Sequence, residues 1–127
     1  MLFEHFSATP EQLAQIQSFP ADTPVTMLNL LRFKTETESG EKGADVYERY
    51  FKNARPFVQA CGAKLIWKGE VPASAVHDLP HVIFLVEYPS TAAFFGMVSN
   101  PDYQKIAADR GLALEFGGLI ACKNVDQ

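Results

Sequence analysis

The feature that most constrains the fold is the apolar run at residues 81–88, HVIFLVEY. No polar residue interrupts it between Val82 and Val86, and Pro80 and Pro89 bound it. An unbroken apolar centre of this length is typical of a strand that is covered on both faces. The chain is therefore predicted to build a sheet whose two faces both need a partner layer.

A second strand is predicted at residues 25–34, VTMLNLLRFK, which carries two polar residues inside an apolar run. Asn29 and Arg32 lie three residues apart, so on a strand their side chains point to opposite faces. If Asn29 faces the helices together with Met27 and Leu31, it lines a pocket and Arg32 faces outward. The opposite assignment is also open, because both faces are apolar.

Two helices are predicted in the N-terminal half. Thr9 resembles an N-cap with Gln12 closing a capping box, and this extra N-terminal helix extends toward Phe19. After a polar loop at 35–43, apolar residues recur at helical spacing over 45–61.

The longer of these helices carries its own boundary signals. Asp45 and Glu48 resemble a capping pair, and Gly62 is expected to end the helix. Pro56 lies inside the helical pattern and predicts a kink or a short break.

The second half of the chain is predicted to hold two capped helices and two further strands. Ser90 caps a helix over 91–98, and Asn100 caps the next helix, which has Pro101 at its first position and ends near Leu114. The four predicted strands are residues 25–34, 63–71, 81–88 and 116–123. The order strand, helix, strand, strand, helix, strand predicts an α+β, ferredoxin-like split β-α-β fold with a four-stranded antiparallel sheet.

Composition narrows the function. With 127 residues, 47% of them hydrophobic, the chain is expected to form one domain over residues 1–127. Its net charge of −4 argues against nucleic acid as a partner, and no apolar run is long enough for a membrane span. Cys61 and Cys122 show no metal or redox spacing, so two buried thiols in the cytoplasm are expected.

The strands predict a homodimer. Met27 and Leu31 oppose Leu28 and Leu30 across the first strand, so both faces of the sheet are apolar. Helices cover only one face in a ferredoxin-like fold, and the other would leave a large hydrophobic patch on a monomer. Stacking two open faces through a twofold axis removes that patch, and Arg32 is expected at the dimer contact, paired with an acid of the second subunit.

Two stretches carry a family resemblance, YFKNARPFVQACGAKLIWKGEV and LVEYPSTAAFFGMVSNPDYQ followed by Arg110. They resemble the small bacterial proteins of the domain of unknown function 1330 family, in the dimeric α/β-barrel superfamily. The likeness spans roughly residues 25–120 and is most specific at 87–90 and 100–104. It implies a ferredoxin-like dimer with a pocket between sheet and helices. Family members often have a tryptophan where this chain has Gly96-Met97, and an arginine where it has His81.

Arg110 is the most informative single residue. It shares an apolar helix face with Tyr103, and a cation there needs an internal carboxylate or an acidic ligand. Glu87, at the end of the third strand, is the best internal partner. Three arrangements are open: an ion pair with Glu87, an acidic ligand, or both at once.

Aromatic residues could line the same pocket, although an aromatic stripe is more often plain core. The candidates for a flat organic ligand are Tyr47, Tyr50, Trp67 and Tyr103. His77 and His81 have the i, i+4 spacing of metal ligands, but Pro80 between them breaks the helix they would need, so no metal and no cofactor are predicted.

The predicted ligand-binding set is therefore Asn29, Tyr50, Trp67, His81, Glu87, Tyr103 and Arg110. The superfamily resemblance implies two enzyme classes, cofactor-independent monooxygenases and haem-degrading enzymes, and the latter is disfavoured because no histidine lies on a helix. The leading hypothesis is a pocket for a small hydrophobic or aromatic acid in an oxygenase or isomerase. The alternative is a non-catalytic dimer that binds a small molecule or has a structural role. Glu87 and His81 are the only candidate general bases.

Overall fold

The computed structural model describes residues 10–72 and 80–125. Its four strands form one antiparallel sheet in the order β2-β3-β1-β4, which confirms the predicted α+β, ferredoxin-like fold. In chain order the elements are α1 (Pro10–Gln17), β1 (Val25–Phe33), α2 (Gly43–Ala60), β2 (Lys64–Glu70), β3 (Val82–Tyr88), α3 (Thr91–Val98), α4 (Pro101–Ala113) and β4 (Leu114–Cys122).

Helix α2 differs from its prediction at the start and in the middle. It begins at Gly43, and the capping residue Lys42 makes no side-chain cap hydrogen bond, so the predicted capping pair of Asp45 and Glu48 is wrong. The helix is continuous through Pro56, so the predicted break does not occur, and the alternative of a kink stays a prediction. Gly62 follows the helix with a φ of 81°, as expected for a glycine that ends a helix.

The predicted caps of α3 and α4 are confirmed. The backbone N–H of Ala93 donates to Ser90 Oγ at 3.0 Å, and the N–H of Asp102 donates to Asn100 Oδ1 at 2.9 Å. Each bond satisfies an N–H in the first turn that has no partner within its helix. Helix α1 begins at Pro10 as predicted, and the cap assigned to Thr9 lies outside the described residues.

The helix-facing side of the sheet forms the core. On β1 the odd-numbered residues point to the helices, and Met27 and Leu31 are almost fully buried. Asn29 lies between them on the same side and is 8% exposed. Strand β3 contributes residues that include Phe84 and Val86, both buried, to this side. The sequence left open which face Asn29 occupies, and the structure places it on the helix-facing side of the sheet.

The opposite side of the sheet, which we call the open face, carries an apolar row across all four strands. Register pairs Trp67 with Leu85, Leu85 with Leu28, and Leu28 with Ile120. Trp67 is 53% exposed and Ile120 is 36% exposed. In a single chain this apolar row therefore remains in contact with water.

Within residues 10–72 and 80–125, no helix has the length and apolar character needed to cross a membrane. The same residues contain no group of three or more histidine, cysteine or acidic side chains placed to hold a metal ion. Cys61 and Cys122 are both free, and both are partly exposed rather than buried as predicted.

Candidate functional site

A cavity of about 380 Å³ lies between the helix-facing side of the sheet and the helices α2, α3 and α4. Most of its wall is aliphatic or aromatic. Among the described residues its lining includes no carboxylate, imidazole, thiol or lysine. The polar side chains in the wall are Asn29, Tyr47, Tyr50, Tyr88, Tyr103 and Arg110.

Two of the tyrosines close the cavity between α2 and α4. The hydroxyl oxygens of Tyr50 and Tyr103 lie 2.7 Å apart, and either one can donate to the other. The Tyr103 ring also meets Phe57 edge-on, with 5.9 Å between ring centroids. These contacts hold the two rings in fixed positions, since edge-on aromatic pairs and buried hydroxyl pairs are directional.

Arg110 reaches the cavity from the last turn of α4. Its guanidinium lies over the backbone of Gly117 on β4, where an added Cβ would lie 3.0 Å from both terminal nitrogens. Glycine at 117 thus provides the room for the guanidinium. Tyr47 lies in the same wall, close enough for the Arg110 charge to lower its pKa.

The backbone joins the elements that carry Arg110 and Tyr47. The N–H of Lys34 donates to the carbonyl of Ala113 at 2.9 Å, and the N–H of Gly43 donates to the carbonyl of Lys34 at 2.9 Å. The end of β1 therefore holds the start of α2 beside the end of α4. This arrangement places Tyr47, one turn into α2, next to Arg110.

The cavity favours protonated phenols. Burial raises the pKa of Tyr47 to about 12, although the Arg110 charge acts in the opposite direction. Burial also raises the pKa of Tyr50 and of Tyr88, and the neighbouring Tyr103 adds to both shifts. At neutral pH these side chains keep their protons, so they act as hydrogen-bond donors rather than as bases.

Asn29 is anchored within its own strand. Its Nδ2 donates to the backbone oxygen of Met27 at 3.2 Å. This bond satisfies part of the buried amide, as a buried polar group requires, and orients it in the floor of the cavity.

Two of the predicted ligand-binding residues lie on the open face. Glu87 pairs in register with Thr26 and Lys64, and Trp67 pairs with Leu85, so both side chains point away from the cavity. The sheet lies between Glu87 and Arg110. The predicted ion pair of Glu87 with Arg110 is therefore wrong, and Glu87 cannot serve as a base for a ligand in this cavity.

His81 lies just before β3 and outside the cavity lining. Its Nδ1 accepts a hydrogen bond from the backbone N–H of Phe33 at 3.1 Å, and the backbone N–H of His81 donates to the carbonyl of Leu31 at 2.7 Å. Burial lowers its pKa, and the charge of Arg32 lowers it further. The ring and the backbone of His81 thus join the end of β1 to the start of β3, which is a structural position rather than that of a general base in the cavity.

Arg32 lies on the open face as expected, but its acidic partner belongs to the same chain. Its Nε is 3.0 Å from Glu115 Oε2. The sequence had suggested an acid from a second subunit.

Of the seven predicted ligand-binding residues, the structure brings together Asn29, Tyr50, Tyr103 and Arg110. The sequence interpretation did not select Tyr88 or Gly117. The alternation of Phe84, Val86 and Tyr88 along β3 could have identified the first, whereas Gly117 could be recognised only from the position of the guanidinium above it.

The family model described as a domain of unknown function (DUF1330) matches residues 42–122, which is more than half of the chain. That segment holds every polar residue of the cavity wall except Asn29. A search of curated proteins finds no match.

Solved structures share the fold at low sequence identity. A protein of unknown function from Rhodopseudomonas palustris is 29% identical, with a TM-score of 0.86 over 97% of this chain and 98% of that one. A dabb family protein with a ferredoxin-like fold from Mesorhizobium loti is 16% identical, with a TM-score of 0.57 over 82% and 99%. A protein from Caulobacter crescentus that is assigned to the antibiotic biosynthesis monooxygenases is 12% identical, with a TM-score of 0.59 over 88% and 99%. The last two likenesses show the fold alone.

Proposed function

The chain belongs to the family described as a domain of unknown function (DUF1330), and we propose that it binds a small hydrophobic or aromatic carboxylic acid in the cavity under α2, α3 and α4. Arg110 receives the carboxylate and the apolar wall holds the rest of the molecule. The functional unit is a homodimer that is closed through the open face.

The observation that carries this proposal is the charge of the cavity. Arg110 is half-buried in the wall. Among the described residues, no carboxylate oxygen lies within 4.0 Å of its guanidinium, the distance that defines an ion pair. Removing a cation from water without an anion is costly. A ligand carboxylate relieves that cost and can form two parallel hydrogen bonds with the planar guanidinium.

The remainder of the wall fits an apolar ligand body. A volume of about 380 Å³ is within the usual range for small-molecule pockets, and the wall has few polar groups. Tyr47 lies beside Arg110, so its hydroxyl can donate a hydrogen bond to the ligand carboxylate that Arg110 receives. The polar groups therefore cluster around one end of the ligand and leave its body in contact with hydrocarbon.

The proposed dimer rests on the open face. Trp67, Leu85, Leu28 and Ile120 form one apolar row across the sheet, and exposed patches of this kind mark association sites. Stacking two such faces about a twofold axis covers both rows. The Mesorhizobium loti protein, which shares the fold, is named as a member of the dabb family. Arg32 borders the same face and stays a predicted dimer contact.

Binding without catalysis is the form of the proposal that the wall supports best. A general base works best when its pKa is near the operating pH, and the lining residues that the structure describes include no carboxylate or imidazole. A second candidate is an oxygenase or isomerase whose substrate develops a negative charge. The observation that favours it is the set of protonated phenols beside Arg110, which could stabilise an oxyanion.

Thermal shift and calorimetry with benzoate, phenylacetate and hexanoate test the proposal. We expect these acids to raise the melting temperature of the wild type, since a ligand that binds only the folded state stabilises it by mass action. Arg110→Met should abolish the shift. Arg49→Met is the matched control, because Arg49 lies outside this cavity and pairs with Glu41 and Asp109. Absence of a shift in the wild type, or an equal shift in Arg110→Met, would refute the proposal.

A further inference from the structure

A second recess lies next to the cavity. This α2–α3 groove has a volume of about 320 Å³ and is lined by residues that include Phe57, Cys61, Gly96, Met97 and Asn100. Met97 lines both the cavity and the groove. The two spaces therefore have one wall residue in common.

The groove lies at the end of the cavity that is remote from the cation. Along α4, Tyr103 precedes Arg110 by seven residues, which is a separation of about 10 Å at the rise of an α-helix. Phe57, a residue of the groove, touches the Tyr103 ring. The order along the site is therefore Arg110, then Tyr103, then the groove.

The chemistry of the wall changes in the same direction. Arg110 and Tyr47 lie together at one end, whereas the lining of the groove contains no charged side chain among the described residues. The Cys61 thiol in that lining donates a hydrogen bond to the carbonyl of Val58. A ligand that follows this path has an anionic head and an uncharged tail.

We propose that the ligand is an elongated amphipathic monocarboxylic acid whose tail passes Met97 into the α2–α3 groove, and that Gly96 and Met97 set the accepted tail length. This inference rests on the proposed function, because it assumes that Arg110 holds the carboxylate. It adds the shape of the ligand and the residues that select it.

Gly96 and Met97 suit these roles for different reasons. A Cβ added at Gly96 would have no heavy atom within 4 Å, so this position leaves the groove open. Met97 is buried at 7% exposure, and its unbranched side chain can change conformation to let a tail pass. A larger residue at 96 would fill the groove without displacing its neighbours.

A series of saturated acids tests the inference. Calorimetric titration of the wild type with hexanoate, octanoate, decanoate and dodecanoate should show affinity rising by about tenfold for each two methylenes that are buried. Gly96→Leu should bind hexanoate as the wild type does and should lose about tenfold or more in affinity for dodecanoate. Replacing glycine within a helix does not weaken the helix, so the variant is expected to fold.

Ala92→Leu is the matched control. Ala92 is exposed on the same helix and lines neither the cavity nor the groove, so this variant should bind every acid as the wild type does. Hexanoate binding without a dependence on length, or equal dodecanoate binding by wild type and Gly96→Leu, overturns this inference alone. Failure of every acid to bind the wild type overturns the proposed function and this inference with it.

Discussion

The hydroxyls of Tyr50 and Tyr103 lie 2.7 Å apart and join α2 to α4 at the cavity wall. The two residues are 53 positions apart in the chain. Both are buried, so their hydroxyls have little water to replace the bond between them. The pair therefore contributes to the stability of the fold as well as to the shape of the site.

Tyr50→Phe and Tyr103→Phe should each lower the free energy of unfolding by about 0.5–1.5 kcal/mol, because each removes one partner of this buried hydrogen bond. The double variant should lose less than the sum of the single losses, since either single change already breaks the bond. Urea unfolding of the four proteins measures the coupling. Strictly additive losses would show that the hydroxyls do not interact in solution.

Arg110→Met should leave the free energy of unfolding within about 0.5 kcal/mol of the wild type or raise it, because no ion pair within the described chain is lost. Glu87→Gln should also stay within about 0.5 kcal/mol, since Glu87 lies across the sheet from Arg110. Chemical denaturation without added acids is the measurement. A loss of about 3–5 kcal/mol in Arg110→Met would instead indicate a buried ion pair in the free protein.

The Glu87 error shows where the sequence stops being informative. The alternation along β3 places Glu87 opposite to Val86 and Tyr88, but both faces of the strand are apolar, so the pattern alone could not assign either face to the helices. The register places Phe84 opposite Asn29, so the two side chains share the face that lines the cavity, and Glu87 lies on the other face. Register is a property of the folded sheet.

Local signals were reliable where they act over a few residues. The caps at Ser90 and Asn100 depend on a side chain and an N–H two or three residues later, and both were predictable. The true start of α2 depends on Lys34 and on Ala113, which is 70 residues away from Gly43, so the nearby pair of Asp45 and Glu48 was misleading.

Gly43→Ala should lower the free energy of unfolding by about 1–3 kcal/mol, the usual cost of overpacking. A Cβ at this position would overlap the backbone oxygens of Lys34 and Ala113, and backbone atoms cannot move aside as a flexible side chain can. Gly111→Ala is the control, because a Cβ there meets nothing within 4 Å and should add about 0.5–1 kcal/mol. Equal effects of the two variants in thermal or urea unfolding would contradict the close approach at Gly43.

His81 should make stability depend on pH. Its pKa in the folded protein is lower than the ordinary value of 6.5, because burial and Arg32 disfavour the charged ring. On acidification the unfolded chain therefore binds more protons than the folded protein. The contribution of His81 to the free energy of unfolding is complete above about pH 6.5 and is lost as the pH falls from there through the folded pKa. The neutral ring is also the form whose Nδ1 can accept from Phe33.

His81→Leu provides the comparison. It should be less stable than the wild type near pH 8, because the N–H of Phe33 loses its acceptor. The stability difference between the two proteins should shrink as the pH falls to about 5. Urea unfolding at several pH values measures it, and a difference that stays constant or grows on acidification would contradict the lowered pKa.

Trp67→Lys should shift the protein from dimer toward monomer, because it places a charge in the apolar row that the proposed dimer covers. Leu112→Lys is the matched control: Leu112 is similarly exposed at 46% but lies on α4, on the helix side of the molecule. Burying an unpaired ammonium in the contact would weaken association, whereas a lysine on the helix surface stays in water. Sedimentation equilibrium of both variants and the wild type over a range of concentrations gives the dissociation constants. A monomeric wild type, or equal constants for Trp67→Lys and the wild type, would remove the open face as the dimer contact.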